Sequence, residues 1–419
     1  MKPISALFLL LALAAPPARA ESGRSARAER RIVICRARAS RADCLAAARE
    51  VGSKVVRELG HIHAVVVEVA AADAFSAAAE SAAPADVERV DLDRKVSWLQ
   101  DLPESGFGFE GAGEMTARMK DLSGRFAAQA PAGPTVPWGV ARVGAPDAWP
   151  RTRGEGATVA VIDTGIDAGH PDLAGQVAGG VNILDPQNPD AWTDDQGHGT
   201  HVSGTIAAKG GPGGLAGVAP GAKLYAVKVL DKDGNGSYSD VIAGIEWAMD
   251  HGVKIANMSL GASQDSEPLH RAVQAALAAG MTIVAAAGNT GGAVAYPGAY
   301  PETIAVGASD ASDRAASFSS RGKEVSFIAP GVDILSAKRG GGYATLSGTS
   351  MASPHVSGLA ALAFASGATT PAELRAALEA AARPLAGLGP EVEGRGMVLA
   401  GNLSAGLPDA GGAALAMLR

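Results

Sequence analysis

The stretch Ala157-Thr158-Val159-Ala160-Val161-Ile162-Asp163 decides how this chain is read. It is a short, near-continuous small and apolar run that stops abruptly at a carboxylate. Such a run suits a strand buried on both faces. The pattern recurs downstream, with strands expected over 224–230, 254–260 and 282–287. Helical stretches are expected between and around them, over 201–208, 239–250 and 268–279. Apolar strands alternating with helices specify an α/β fold: a parallel sheet with helices on both faces. Right-handed crossovers then bring the carboxyl ends of the strands to one edge, where sites of this architecture form.

Outward from this region the composition bounds the rest. The chain has 419 residues, 47% of them hydrophobic and 19% charged, enough for more than one domain. Aromatic residues make up only 4%, so Ala, Val, Leu and Ile must build the core. A formal charge of −7 offers no broad basic field, which argues against nucleic acid as a partner. Residues 1–20 read as a signal peptide: Lys2, an apolar run over 4–15, then Ala18-Arg19-Ala20. That run is shorter than a comfortable membrane span, and no later segment reaches one, so no stable membrane insertion is expected. The expected location is secreted, extracellular or periplasmic. Cys35 and Cys44 are the only cysteines. Export permits a disulfide between them, and the sequence leaves their pairing open.

Residues 21–100 read as a small α+β unit of their own. A strand is expected over 31–35, a helix over 41–59 ended by Gly60, a strand over 63–69, a helix over 71–83 and a strand within 87–96. The arginines between 24 and 41 read as a solvated arm beside the first strand. Residues 101–135, with four glycines from Gly106 to Gly113 and then Ala130-Pro131-Ala132-Gly133-Pro134, read as a linker. Residues 136–404 carry the α/β pattern. Residues 405–419 form a Gly/Ala-rich tail.

Three polar residues stand at element ends. Asp163 ends the first strand, His198 precedes a helix in Gly197-His198-Gly199-Thr200-His201, and Ser350 opens another in Gly348-Thr349-Ser350-Met351-Ala352. Pro354 is expected in the first turn of that last helix, where its missing N–H costs nothing. Each residue alone has an ordinary use: turn cap, packing group or helix cap. Together they are the types an activated nucleophile needs. A serine hydroxyl requires a base, and the base requires an orienting carboxylate.

With these motifs the chain resembles the subtilisin-like serine proteases, the secreted subtilases of the peptidase S8 family. The likeness runs from about Val136 to Leu399. It implies Ser350 as nucleophile, His198 as general base and then acid, and Asp163 as its orienting partner. Asn289, in Ala286-Ala287-Gly288-Asn289, matches the oxyanion-hole asparagine. Gly234-Asn235-Gly236 and Ser259-Leu260-Gly261 match the two segments that pair with an extended substrate, and Ala286, Ala287 and Gly288 match one wall of the primary pocket. Ala295 stands near the base of that pocket, and Tyr238 and Val241 suit either a further apolar pocket or plain core packing. An uncharged pocket implies an apolar or neutral side chain before the scissile bond and a broad-specificity endopeptidase. Asp194 and Asp195 favour a second reading, a processing protease selective for basic residues. A third is an inactive binding protein on the same fold.

The likeness also implies a self-processing zymogen. The first unit then acts as propeptide and intramolecular inhibitor, cleavage falls between Trp98 and Thr135, extended polypeptides are the partners, and the enzyme is a monomer. The chemistry requires no cofactor. Calcium enters only as a structural ion, with Asp172 as the matching carboxylate. Gly211 and Pro134 stand where ligating amides are expected. His201 and His355 read as structural, since no His-Glu-x-x-His frame accompanies them.

Overall fold

The opening stretch forms a strand, Thr158–Asp163, at the centre of the molecule. The computed structural model describes residues 28–70, 84–99 and 135–403. The expected signal peptide, the helix over 71–83, nearly all of the linker and the tail lie outside them.

In the first unit, β1 (Glu29–Cys35), β2 (Lys54–Leu59), β3 (Ala64–Val69) and β4 (Val87–Leu92) form an antiparallel sheet of order β2-β3-β1-β4. Helix α1 (Arg41–Val51) packs on one face and is opened by a capping box between Ser40 and Asp43. The single helix expected over 41–59 is wrong in its second half. Gly52 stops α1 in extended backbone, and the β-branched pair Val55 and Val56 continues as β2. Cys35 and Cys44 are disulfide-bonded, tying the end of β1 to α1. A short strand, β5 (Lys95–Ser97), follows.

The larger unit holds seven parallel strands: β6 (Thr158–Asp163), β7 (Val177–Asn182), β8 (Lys223–Lys228), β10 (Ile255–Met258), β11 (Thr282–Ala286), β12 (Ile304–Ser309) and β13 (Val325–Pro330). Their order is β13-β12-β11-β10-β6-β8-β7. Strand β9 (Asn235–Ser237) lies outside this sheet and pairs antiparallel with β5. Helix α2 (His198–Ala207) and the long α5 (Thr349–Ala365) pack on one face of the sheet, α3 (Tyr238–Asp250) and α4 (Glu267–Ala278) on the other. The parallel sheet with helices on both faces is therefore as expected. A hairpin, Ile334–Ala337 with Tyr343–Leu346, leads back to α5.

Two cores flank the sheet. One gathers Val159, Val161, Val202, Ile206, Val356 and Leu359. The other gathers Ala160, Ile162, Val241, Ile242 and Ile245, and it also takes in Ile32, Ile34, Leu59 and Val66 of the first unit. The alternate residues Val33, Cys35, Val65 and Val67 turn the other way, onto α1. The period of two in β1 and β3 thus serves two cores at once. Arg30, expected on a solvated arm, is drawn into the joint together with Arg57: Arg30 lies 3.1 Å from Asp93, and Arg57 donates to Asp240 at 3.0 Å. Among the described residues, no helix is long and apolar enough to cross a membrane.

Candidate active site

Asp163 ends β6 at the carboxyl edge and is fully buried. Its Oδ1 accepts from the Thr164 N–H at 2.7 Å. His198 is the first residue of α2, entered through Gly197, whose φ of 119° few side-chain-bearing residues adopt. The next residue must also be glycine, because a Cβ on Gly199 would strike the Gly165 carbonyl. This close approach sets the imidazole on the carboxylate. Nδ1 of His198 lies 2.8 Å from Oδ1 and 2.9 Å from Oδ2 of Asp163, while Nε2 is buried without a hydrogen-bond partner. Burial by itself would depress the His198 pKa. The charge and hydrogen bond of Asp163, then the charge of Asp194, outweigh it and hold the pKa above its ordinary value.

Ser350 is the second residue of α5, in its first turn. Its hydroxyl donates to the Ser259 carbonyl at 3.1 Å, and the Ser259 hydroxyl donates back to the Ser350 carbonyl at 2.8 Å. Pro354 explains the second bond. It sits in the second turn of α5, not the first as expected, and lacks the N–H that would cap the Ser350 carbonyl four residues back. Ser259 takes that place. Behind it, Asn257 donates to the Ser259 hydroxyl and accepts from Ser353 and Ser357, so the buried network is satisfied.

Asn289 stands after β11. Its Oδ1 accepts from the Thr349 N–H at 2.8 Å and the Thr349 hydroxyl at 3.0 Å, which leaves the Nδ2 end free to donate elsewhere. The same threonine hydroxyl receives the N–H of Gly288, which has a φ of 106°. Asn289 is thereby fixed to the residue that precedes the serine.

The segments matched to substrate pairing are brought together around β5. Ser97 stands opposite Asn235 and Val96 opposite Gly236. The Trp98 N–H donates to the Gly234 carbonyl at 3.0 Å, and the Gly261 N–H donates to the Trp98 carbonyl at 3.2 Å. The Trp98 indole packs edge-on to Tyr238 and donates to the Gly236 carbonyl at 3.0 Å. Leu99 lies against Gly234. Leu260 and Val241 are buried in the core, so Val241 is packing and not an open pocket wall. A Cβ on Gly261 or on Gly288 would crowd Ala295, which gathers these residues round one small space. Ala286 is buried beside them, but Ala287 turns its methyl into a cluster with Val294, Ala305 and Val325. Only its backbone is left to face a pocket.

Two further expectations need correction. Asp194 is not available to a basic substrate: it is buried and its carboxylate is filled by five donors of its own chain. Asp195 instead meets the buried Lys228 ammonium at 2.7 Å. Asp172 is engaged by donors of its own chain: its Oδ2 accepts from the Leu215 N–H at 2.9 Å and the Tyr343 hydroxyl at 2.8 Å. With glycine at 211 and proline at 134, these residues do not fit a calcium ion. Among the described residues there is no group of three or more His, Cys, Asp or Glu arranged to hold a metal. His201 donates from Nε2 to the Ile334 and Ala344 carbonyls, and His355 from Nδ1 to the Met351 carbonyl; burial first of all lowers both to about 4, so both are neutral packing groups. Sequence reasoning missed Lys228 and Asn257, and it met Thr164 only as part of the Asp163-Thr164-Gly165 motif, without a role. Nothing in the local pattern of Lys228 and Asn257 sets them apart, and only the fold joins them to the site.

Residues 154–399 match the model of the subtilase family of peptidases. The chain belongs to the subtilase family. Its subtilase relatives include an intracellular serine protease of Paenibacillus polymyxa, 46% identical over 278 residues, covering 63% of this chain and 85% of that protein. Subtilisin E of Bacillus subtilis is 47% identical over 255 residues, 59% of this chain and 66% of its own. Subtilisin Savinase of Lederbergia lenta is 49% identical over 230 residues, 54% of this chain and 84% of its own. This subtilase is a serine endopeptidase, and polypeptides are its substrates.

Proposed function

We propose that this subtilase cleaves extended polypeptides through an acyl-enzyme formed on Ser350. Nε2 of His198 takes the hydroxyl proton as Oγ attacks the carbonyl carbon. The same nitrogen returns the proton to the departing amine, and water then repeats the sequence to release the acid. Asp163 holds the imidazole with Nε2 outward and stabilises its protonated form. The Nδ2 of Asn289 and the Ser350 N–H, at the positive end of α5, receive the oxyanion. The observation that carries this reading is the His198–Asp163 pair at 2.8 Å, with the opposite nitrogen buried and unpartnered. The pocket residues are small and uncharged, which favours an apolar or neutral side chain before the scissile bond. A fluorophosphonate probe is expected to label Ser350 and to leave Ser350→Ala unlabelled; a processed wild-type protein that resists the probe counts against the reading.

We also propose that the chain is a zymogen of a secreted enzyme, acting as a monomer without a cofactor. The pairing of β5 with β9 supports the first part, because a strand of the N-terminal unit lies where an extended substrate would add. The disulfide supports export to an oxidising compartment. Ser350→Ala is expected to accumulate in the medium at full length after removal of the leader. A variant trimmed like the wild type between Trp98 and Thr135 would reject self-processing.

A further inference from the structure

Asp194 lies outside the proposed relay, yet it touches both of its arms. Its Oδ1 accepts from the Thr164 hydroxyl at 2.9 Å, the Gln196 N–H at 3.0 Å and the Gly197 N–H at 2.8 Å. Its Oδ2 accepts from the Thr200 N–H at 3.0 Å and the Thr200 hydroxyl at 2.5 Å. These donors come from three places: the residue after Asp163, the loop that delivers His198, and the first turn of α2. The Thr164 hydroxyl also receives the Gly199 N–H at 3.0 Å, which closes the circuit. The carboxylate is only 1% exposed, and every donor it meets belongs to a segment adjoining Asp163 or His198. A buried anion with five donors at a helix N-terminus is well solvated by the protein and rigid.

We propose that Asp194 is a positioning residue for the peptidase reaction, holding the Asp163 and His198 segments in register through one shared carboxylate. The inference rests on the roles proposed above for those two residues. The Asp194 charge also acts on the His198 imidazole. The other ionisable groups around that imidazole are Asp163 on β6, Asp195 on the loop, Lys228 on β8, neutral His201 on its own helix, and Arg339, whose stem lies against Gly197. Lys228 is already engaged by the Thr164 and Leu230 carbonyls and by Asp195, so it does not cancel Asp194 directly.

The test compares processed wild type and Asp194→Asn on a soluble peptide substrate across pH. The variant is expected to lose about tenfold or more in kcat with KM little changed. Its acid limb should move to lower pH by about 0.5–1 unit, because a negative charge has been removed from the base. A variant with reduced thermal stability but unaltered kcat and acid limb would overturn the proposal, since a merely structural anchor predicts that result. Should Asp194→Asn fail to fold, Thr200→Val keeps the charge and removes one anchor. It is expected to lower kcat about two- to fivefold at constant KM with the acid limb unmoved, and Thr200→Ser should restore the rate. Unaltered kcat in Thr200→Val, or no rescue by serine, would overturn the proposal. Probe labelling of wild-type Ser350 checks the relay separately, so rejection of Asp194 would leave that reading standing.

Discussion

His198 sits between two opposing influences, and the balance is measurable. Burial favours its neutral form, whereas Asp163 and Asp194 favour the protonated one and prevail. In the proposed relay only the neutral imidazole can accept the serine proton, so activity is expected to fall as pH drops through the raised pKa. The acid limb of kcat/KM is expected above the ordinary histidine value of about 6.5. A pH–rate profile with its midpoint at or below that value would contradict this. Asn289 makes the second prediction at this scale. With Oδ1 committed to Thr349, its amide keeps the Nδ2 end for the proposed oxyanion contact. Asn289→Ala is expected to lower kcat by about 10²–10³-fold with little effect on KM, the size measured for this donor in a subtilisin and carried over by likeness. Steady-state kinetics on a soluble peptide check it. Asp163, His198 and Ser350 stand out in the sequence because each sits in a Gly/Ser/Thr-rich frame at an element end, and Asn289 through its match to the family. Asp194 drew notice only as a charge, and its real use depends on Thr164, 30 residues earlier in the chain, which no local pattern reveals.

At the scale of elements, α5 owes its start to a neighbour. A proline in the second turn would normally leave a carbonyl bare, and the Ser259 hydroxyl fills the gap. Ser259→Ala removes that donor and strands a buried acceptor, at a cost of about 1–3 kcal/mol. Thermal unfolding in a Ser350→Ala background, which prevents self-digestion, is expected to show the loss as a fall of several degrees in Tm. An unchanged Tm would mean that the helix does not depend on this contact. The same element shows where reading by rule stops. Proline placement follows first-turn statistics until a side chain from elsewhere in the fold, here Ser259 just after β10, supplies the missing partner. In β1 and β3 the apolar run could be read as strand but not as two-faced, since the second face is covered by residues of the larger unit, far along the chain. The helix over 41–59 failed for a nearer reason. Apolar spacing fits a helix across Gly52, whereas that glycine and the paired valines after it favour extended backbone.

Across the whole molecule the two units meet along α3 and α4. The Glu246 carboxylate accepts the N–H groups of Gly60 and His61, and Arg271 pairs with Glu88. Among the described residues, the first unit's own core is a small cluster of valines, alanines and the two cysteines. On the zymogen reading, its hold on the enzyme depends on staying folded. Replacing Cys35 and Cys44 by serine opens a short loop and is expected to destabilise the unit by roughly 2–3 kcal/mol. Activity should then appear sooner in the secreted protein. Timing its onset with and without the cysteine pair checks this, and an unchanged lag would separate the disulfide from inhibition.

The alternation of β1 and β3 has an outcome of its own. Ile32, Ile34, Leu59 and Val66 are covered only while the first unit lies on the second. Whatever parts them returns these apolar side chains to water, along with Arg30 and Arg57, whose partners Ser239 and Asp240 lie across the joint. On the zymogen reading, the cost of wetting that face opposes departure and holds the first unit in place until its own fold is lost.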